Sequence, residues 1–152
     1  MYFTKKIRIR MKEEEKRILL EYEQTYMDQL QDLVKQMEEG HSLRLSQMAY
    51  FHEIPIACRW QLYQLARKQY FAIKNKKDFQ YHRSSTWSTK AFHYEGDMLS
   101  LFMRHQDLHL KLSISSFEMD VLNTCRIVRL DIVHDEKFWY ANFTLYIKEK
   151  VR

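Results

Sequence analysis

The spacing of apolar residues changes near residue 90, from steps of three and four to strict alternation. The opening run is an exception that already alternates. Phe3, Ile7 and Ile9 fall on one face, and Thr4, Lys6, Arg8 and Arg10 on the other, which predicts a strand. Lys5 falls on the apolar side, as at an edge or a strand end. From residue 12 to 39 the pattern predicts a long helix, with Leu19, Tyr22, Tyr26, Leu30, Leu33 and Met37 on one stripe. Glu13, Glu14 and Glu15 suit the positive end of its dipole, and Gly40 is a natural stop. A short helix over 42–51 is a weaker reading.

Pro55 opens the next helix, where a missing N–H costs least. Trp60, Tyr63, Ala66, Tyr70 and Ile73 mark its buried stripe, while Arg59, Arg67, Lys68, Lys74, Lys76 and Lys77 crowd the remainder with almost no acids between them. Residues 78–90 read as a polar loop.

Beyond residue 90 the period is two. Residues 91–94 and 98–103 flank Glu95-Gly96-Asp97, a hairpin turn. Leu108, Leu110, Leu112 and Ile114 alternate with polar residues, as do Val128, Leu130 and Ile132, and then Trp139, Ala141, Phe143, Leu145 and Ile147. The segment 115–124 is left open between a loop and one helical turn. The first strand has no neighbour in sequence, so it pairs most easily with the later ones. The expected class is therefore α+β: a small antiparallel β-barrel, wedge- or OB-like, with an inserted helical bundle. Residues 1–11 and 90–152 form the discontinuous barrel, and 12–89 the insertion.

Composition narrows the function. The 152 residues are 45% hydrophobic, enough to build a core, with only two glycines and one proline, so no long flexible linker is visible. The net charge of +5 favours an anionic partner. Cys58 and Cys125 are isolated, which excludes a four-cysteine zinc site or a disulfide framework within the chain and suits a cytoplasmic setting. Neither a signal peptide nor a membrane-spanning run is visible, so no membrane partner is expected. Phosphate-cradling glycine loops, a nucleophile elbow and the HExxH helix are all missing. His105 and His109 are four apart but fall on a turn and a strand, and read as solvent-facing. Asp131 reads as a plain surface charge. No catalytic residue, metal or cofactor is expected.

Three basic features remain. The polar face of strand one, Lys6, Arg8 and Arg10, can track phosphates because alternate residues line one surface; an ordinary solvated face is the alternative. The face formed by Arg59, Arg67, Lys68, Lys74, Lys76 and Lys77 lacks the mixed signs of a purely structural surface. The loop containing Arg83, Trp87, Ser88 and Lys90 offers stacking, hydroxyl and cationic groups, although Trp87 can equally anchor in the core.

At these residues the sequence resembles the TnpB (OrfB) proteins of bacterial insertion sequences, relatives of the type V CRISPR effectors. Lys6-Ile7-Arg8-Ile9-Arg10 followed by Lys12 to Glu15 is similar to the family's K-x-R-I/L-Y-P-T-x-E-Q start, with Met11 where the proline usually stands. The helix led by Pro55, through Trp60, Gln61 and Tyr70-Phe71, is similar to the family's proline-led helix. Ser85-Thr86-Trp87-Ser88 looks like its S-F segment, the run 92–101 resembles its hairpin, and Lys137-Phe138-Trp139-Tyr140-Ala141-Asn142-Phe143-Thr144 resembles its G-K-W-Y-A/V-S-F-T strand. The usual G-x-P-R-F-K stretch is not evident near residues 76–83.

The resemblance implies a wedge barrel with an inserted recognition domain that binds structured guide-type RNA and reads a short duplex DNA motif beside the target. By position it places Trp60, Gln61, Trp87 and Ser88 among the motif-reading residues. It also implies that a RuvC-like nuclease half belongs after residue 152 or on a separate partner chain, so the expectation is a non-catalytic, transposase-associated module. A stand-alone DNA-binding regulator and a protein-interaction or structural subunit are the other two readings.

Overall fold

The computed structural model describes residues 1–40, 54–76 and 84–147. Strand β1 (Tyr2–Arg10) leads into helix α1 (Glu13–Glu38) and then α2 (Ile56–Lys74). The remaining elements are β2 (Ser84–Trp87), β3 (Phe92–Glu95), β4 (Met98–Phe102), β5 (Asp107–Ser113), α3 (Ser116–Thr124), β6 (Arg126–His134) and β7 (Trp139–Tyr146). The seven strands form one antiparallel sheet in the order β2-β6-β7-β1-β5-β4-β3, curled into a half-barrel. The class is α+β, with α1 and α2 inserted in sequence between β1 and the other strands.

As the alternation requires, β1 pairs with strands distant in sequence. Ile7 faces Ala141 and Ile9 faces Trp139 on β7, and on the other side Ile9 faces Leu112 of β5. This register puts Ile7, Ile9, Leu110, Leu112, Ala141, Phe143 and Leu145 on one buried face. Each buried Ile, Leu or Phe side chain there contributes roughly 1.5–3 kcal/mol relative to exposure. The opposite face carries Lys6, Arg8 and Arg10.

Helix α1 starts where the Glu15 carboxylate accepts the Lys12 N–H at 2.9 Å and stops at Gly40, whose φ of +79° is left-handed. Its stripe of Leu19, Tyr22, Tyr26, Leu30 and Leu33 is buried. The Tyr22 ring stacks on Trp87 of β2 at 4.7 Å, and Ile18, Tyr22 and Thr25 share a small cleft with Met103 to Gln106, between β4 and β5. Thus α1 reaches both toward β2 and toward the β4–β5 turn. Pro55 stands at the start of α2 and the Cys58 N–H bonds its carbonyl at 2.8 Å. Gly96, with φ +62°, takes the first central position of the β3–β4 turn, where Asp97 keeps negative φ; this is the glycine position of a type II′ hairpin.

One expected loop and one segment left open between loop and helical turn contain regular structure. Within 78–90, Ser84–Trp87 pairs with β6 from Val133 to Leu130; only Ser85 and Trp87 face inward, too short a signal to break the polar pattern. Residues 115–124 contain α3, opened by a capping box in which Ser115 Oγ accepts the Glu118 N–H at 3.2 Å and the Glu118 carboxylate accepts the Ser115 N–H at 3.1 Å. The helix expected over 42–51 lies outside the described residues. No helix among the described residues is long and apolar enough to cross a membrane.

Candidate nucleic-acid interface

The exposed face of β1 is built by the pleat, which turns Lys6, Arg8 and Arg10 outward while Ile7 and Ile9 point into the core. Beside it, β7 turns Tyr140, Asn142, Thr144 and Tyr146 to the same side, paired with Arg8, Lys6, Thr4 and Tyr2. Lys6 Nζ lies 4.4 Å over the Tyr140 ring, and the Arg8 guanidinium 4.0 Å over Phe138. These cation–π contacts hold two long side chains in place on an exposed surface. Tyr2 and Tyr146 meet at 4.9 Å at the far end of the same strip.

At the other end of β1 the strip opens into a cleft of about 440 Å³. It is lined by Arg8, Arg10, Lys12, Lys16, Lys111 and Lys137, with Ile9, Met11, Phe138 and Trp139 as its apolar floor. Arg10 and Lys111 are direct cross-strand partners. Among the described residues no carboxylate lines the cleft. Two acids sit close to its rim: Glu13 pairs with the lining Lys16 at 3.2 Å and offsets that one charge, and Asp135 accepts the N–H groups of Phe138 and Lys137. Those two hydrogen bonds hold the Asp135 carboxyl below its ordinary range, with smaller help from the charges of Lys6 and His134. Two cations placed opposite each other repel, so the fold tolerates a local cost here.

The residues proposed on α2 divide. Trp60 is half-exposed and stacks on Tyr63 at 5.6 Å. Arg67 is exposed, 5.9 Å from both the Tyr63 and Phe71 rings. Lys68, Lys74 and Lys76 are exposed. Arg59 departs from the expected basic face. It is buried, its Nε donates to the Ile54 carbonyl at 3.1 Å, and burial together with Arg104 lowers its pKa. The guanidinium tethers the residue before Pro55. Gln61 is half-buried, and its Oε1 is enclosed with no hydrogen bond among the described residues.

Trp87 takes the core position that its sequence context allowed. It has no exposed surface, stacks on Tyr22 and donates its indole N–H to Ser85 Oγ at 3.0 Å; it is a core residue and offers no face to a base. Ser88 is half-buried, and its carbonyl accepts the Ala91 N–H at 2.8 Å. Lys90 is exposed in the following turn. Lys77 and Arg83 lie outside the described residues. Asp131 is also no plain surface charge: it accepts from Thr86 Oγ1 at 2.6 Å and Arg129 Nε at 3.1 Å, binding β2 to β6. His105 and His109 are exposed, and His109 Nδ1 lies 2.9 Å from Ser100 Oγ.

Among the described residues the exposed cations that were expected therefore gather mainly in two groups, one on β1 and one on and just after α2, with Lys90 apart from both. Sequence reading missed Lys12, Lys16, Lys111, Lys137, Phe138 and Tyr140, which complete the first group. The available signal was the polar alternation of 140–146, but joining it to β1 needs the β1–β7 register. Among the described residues no group of three or more His, Cys, Asp or Glu side chains could hold a metal ion. No protein-family model matches the chain, and no curated protein matches it either.

Proposed function

We propose that this chain is a nucleic-acid-binding module, the non-catalytic wedge and recognition part of a TnpB-like transposon protein working in the cytoplasm. In this reading it binds a structured guide-type RNA and a short duplex motif beside the DNA target, and strand cutting belongs to a RuvC-like nuclease half. The observation that carries the binding role is the cleft at the end of β1, where six cations gather with no lining carboxylate among the described residues, only Lys16 of them pairing with a nearby acid, Glu13. Such a field attracts a polyanion, and phosphates released from their counterions bind it. The exposed Trp60, Arg67, Lys68 and Lys74 on α2 supply a second contact surface, suited to backbone and base-edge contacts. The experiment is purification without added nucleic acid, followed by the ultraviolet absorbance ratio before and after RNase and DNase. Co-purified RNA removed by RNase supports the reading. Protein free of nucleic acid that also fails to bind added RNA or DNA overturns it.

One observation favours a protein-docking role for α2 instead: Ile56, Trp60 and Phe71 are all exposed on it, and exposed apolar residues gathered on one element mark interfaces. Under that reading the chain is an interaction subunit, and its binding to nucleic acid does not exceed that of an unrelated protein of equal charge.

A further inference from the structure

We propose that the outer face of β1 and β7 takes an unpaired nucleic-acid segment, with bases stacked along it, rather than a duplex. The proposal rests on the nucleic-acid reading above and names the form of nucleic acid that this surface fits.

Position in the sheet is the first reason. Strands β1 and β7 are interior strands, flanked by β5 on one side and β6 on the other. The major groove of a duplex admits a helix or a two-stranded ribbon, so the middle of a seven-stranded sheet cannot enter it. A duplex laid on this face would offer only its phosphates.

Side-chain composition is the second reason. The face carries ring systems at both ends, Tyr2 with Tyr146 and Phe138 with Tyr140, and Thr4, Thr144 and Asn142 between them. Rings add little for a ligand whose bases are stacked on one another inside a helix. They match unpaired bases, which stack on aromatic side chains and on guanidinium planes. Arg8 held against Phe138 is such a plane, with the guanidinium exposed on its solvent side.

Spacing is the third reason. Alternate residues on a strand repeat about every 6.7 Å. Lys6, Arg8 and Arg10 thus form a cation row comparable in repeat to the phosphates of an extended strand. The nine-residue β1 runs for roughly 27 Å, enough for a few nucleotides, and ends at the basic cleft, which receives the phosphates that follow. Lys6 and Arg8 are already ordered by their rings, so less side-chain entropy is lost when the ligand arrives.

The test is fluorescence anisotropy of the full chain with labelled oligonucleotides of about 12 nucleotides, oligo-U and oligo-dT, against DNA and RNA hairpin duplexes of about 12 base pairs, at about 0.15 M salt. We expect single strands to bind about tenfold or more tightly than duplexes. Phe138→Ala and Tyr140→Ala should each weaken single-strand binding roughly 5- to 150-fold, by a clearly larger factor than they weaken duplex binding, which loses only the ordering of Arg8 or Lys6 for phosphate. Tyr140→Phe, which keeps the ring, should bind single strands like wild type and guards against misfolding of the alanine variant. The oligo-U and oligo-dT arms tell RNA from DNA preference. Equal or tighter duplex binding, or loss of both forms together in folded aromatic variants, overturns the single-strand assignment while the nucleic-acid reading stands. If no form binds above an unrelated protein of equal charge, the nucleic-acid reading itself has failed.

Discussion

Glu23 in the middle of α1 and His134 at the end of β6 meet at 2.6 Å, 111 residues apart in sequence. Both side chains are largely enclosed, and the imidazole also stacks on Trp139 at 4.1 Å. The imidazole N–H donates to the carboxylate, so a polar clamp joins the inserted helix to the sheet.

Breaking that clamp from one side should be costly. His134→Phe keeps the stack on Trp139 but strands the Glu23 carboxylate, and we expect a loss of roughly 3 kcal/mol. The double variant Glu23→Leu with His134→Phe should recover much of it, because no buried charge is left unpartnered. Urea unfolding of the two single variants and the double variant gives the coupling. Additive losses would mean that the contact contributes nothing as a pair.

The tryptophans should separate by role. Trp87→Ala removes a fully buried ring between Tyr22 and the sheet and should cost about 3–5 kcal/mol. Trp60→Ala removes a half-exposed ring and should change stability by no more than about 1 kcal/mol. On the proposed function it nonetheless weakens duplex binding. Thermal melts and duplex titrations of both variants check this; a Trp60→Ala protein that melts as early as Trp87→Ala would place that ring in the core.

Burial in the α1–α2 core pushes the Cys58 thiol up to about 11 from an ordinary 9, and a Ser88 hydrogen bond only partly offsets this. The folded value is raised, so the neutral thiol's contribution is fully present below about pH 9 and is lost as pH rises toward 11. The loss is about 2–3 kcal/mol over that window. Tyr22, also raised by burial, adds to alkaline unfolding in the same direction. Cys58→Ala should flatten part of the decline in a pH series of unfolding curves. A decline of unchanged steepness would assign it elsewhere. In native protein at neutral pH a thiol reagent should modify the half-buried Cys125 and reach Cys58 only on unfolding.

The sequence made most of the fold legible, for identifiable reasons. Strict alternation in 107–113 and 139–146 marked strands because each buries one face only. The long stripe of α1 and the glycine after it fixed that helix. What escaped was short or reciprocal, or lay on α2, where Trp60 and Ile73, expected on the buried stripe, are exposed and Cys58 and Leu62 are buried instead. Strand β2 contributes only Ser85 and Trp87 to the core, and two inward residues do not establish a period. Helix α3 was signalled by Ser115 and Glu118, but its exposed Phe117 blurs the apolar stripe. The site was half legible. Lys6, Arg8 and Arg10 followed from the pleat alone, whereas Lys111, Lys137, Phe138 and Tyr140 join them only through a register between strands more than a hundred residues apart. Arg59 and Trp87 were drawn to the site by residue type, which carries no information on burial.

Salt dependence of nucleic-acid binding tests the central claim most directly. The affinity of a labelled oligonucleotide is measured over a series of salt concentrations for wild type and for the variant carrying Lys6→Ala, Arg8→Ala and Arg10→Ala, with circular dichroism confirming that both are folded. Binding through this face predicts that affinity falls steeply with salt for wild type. The logarithmic slope should become shallower in the variant by about 0.7–0.9 for each phosphate that the protein no longer neutralises. An unchanged slope and affinity in the folded variant, or no binding by wild type beyond that of an unrelated protein of equal charge, would contradict the account.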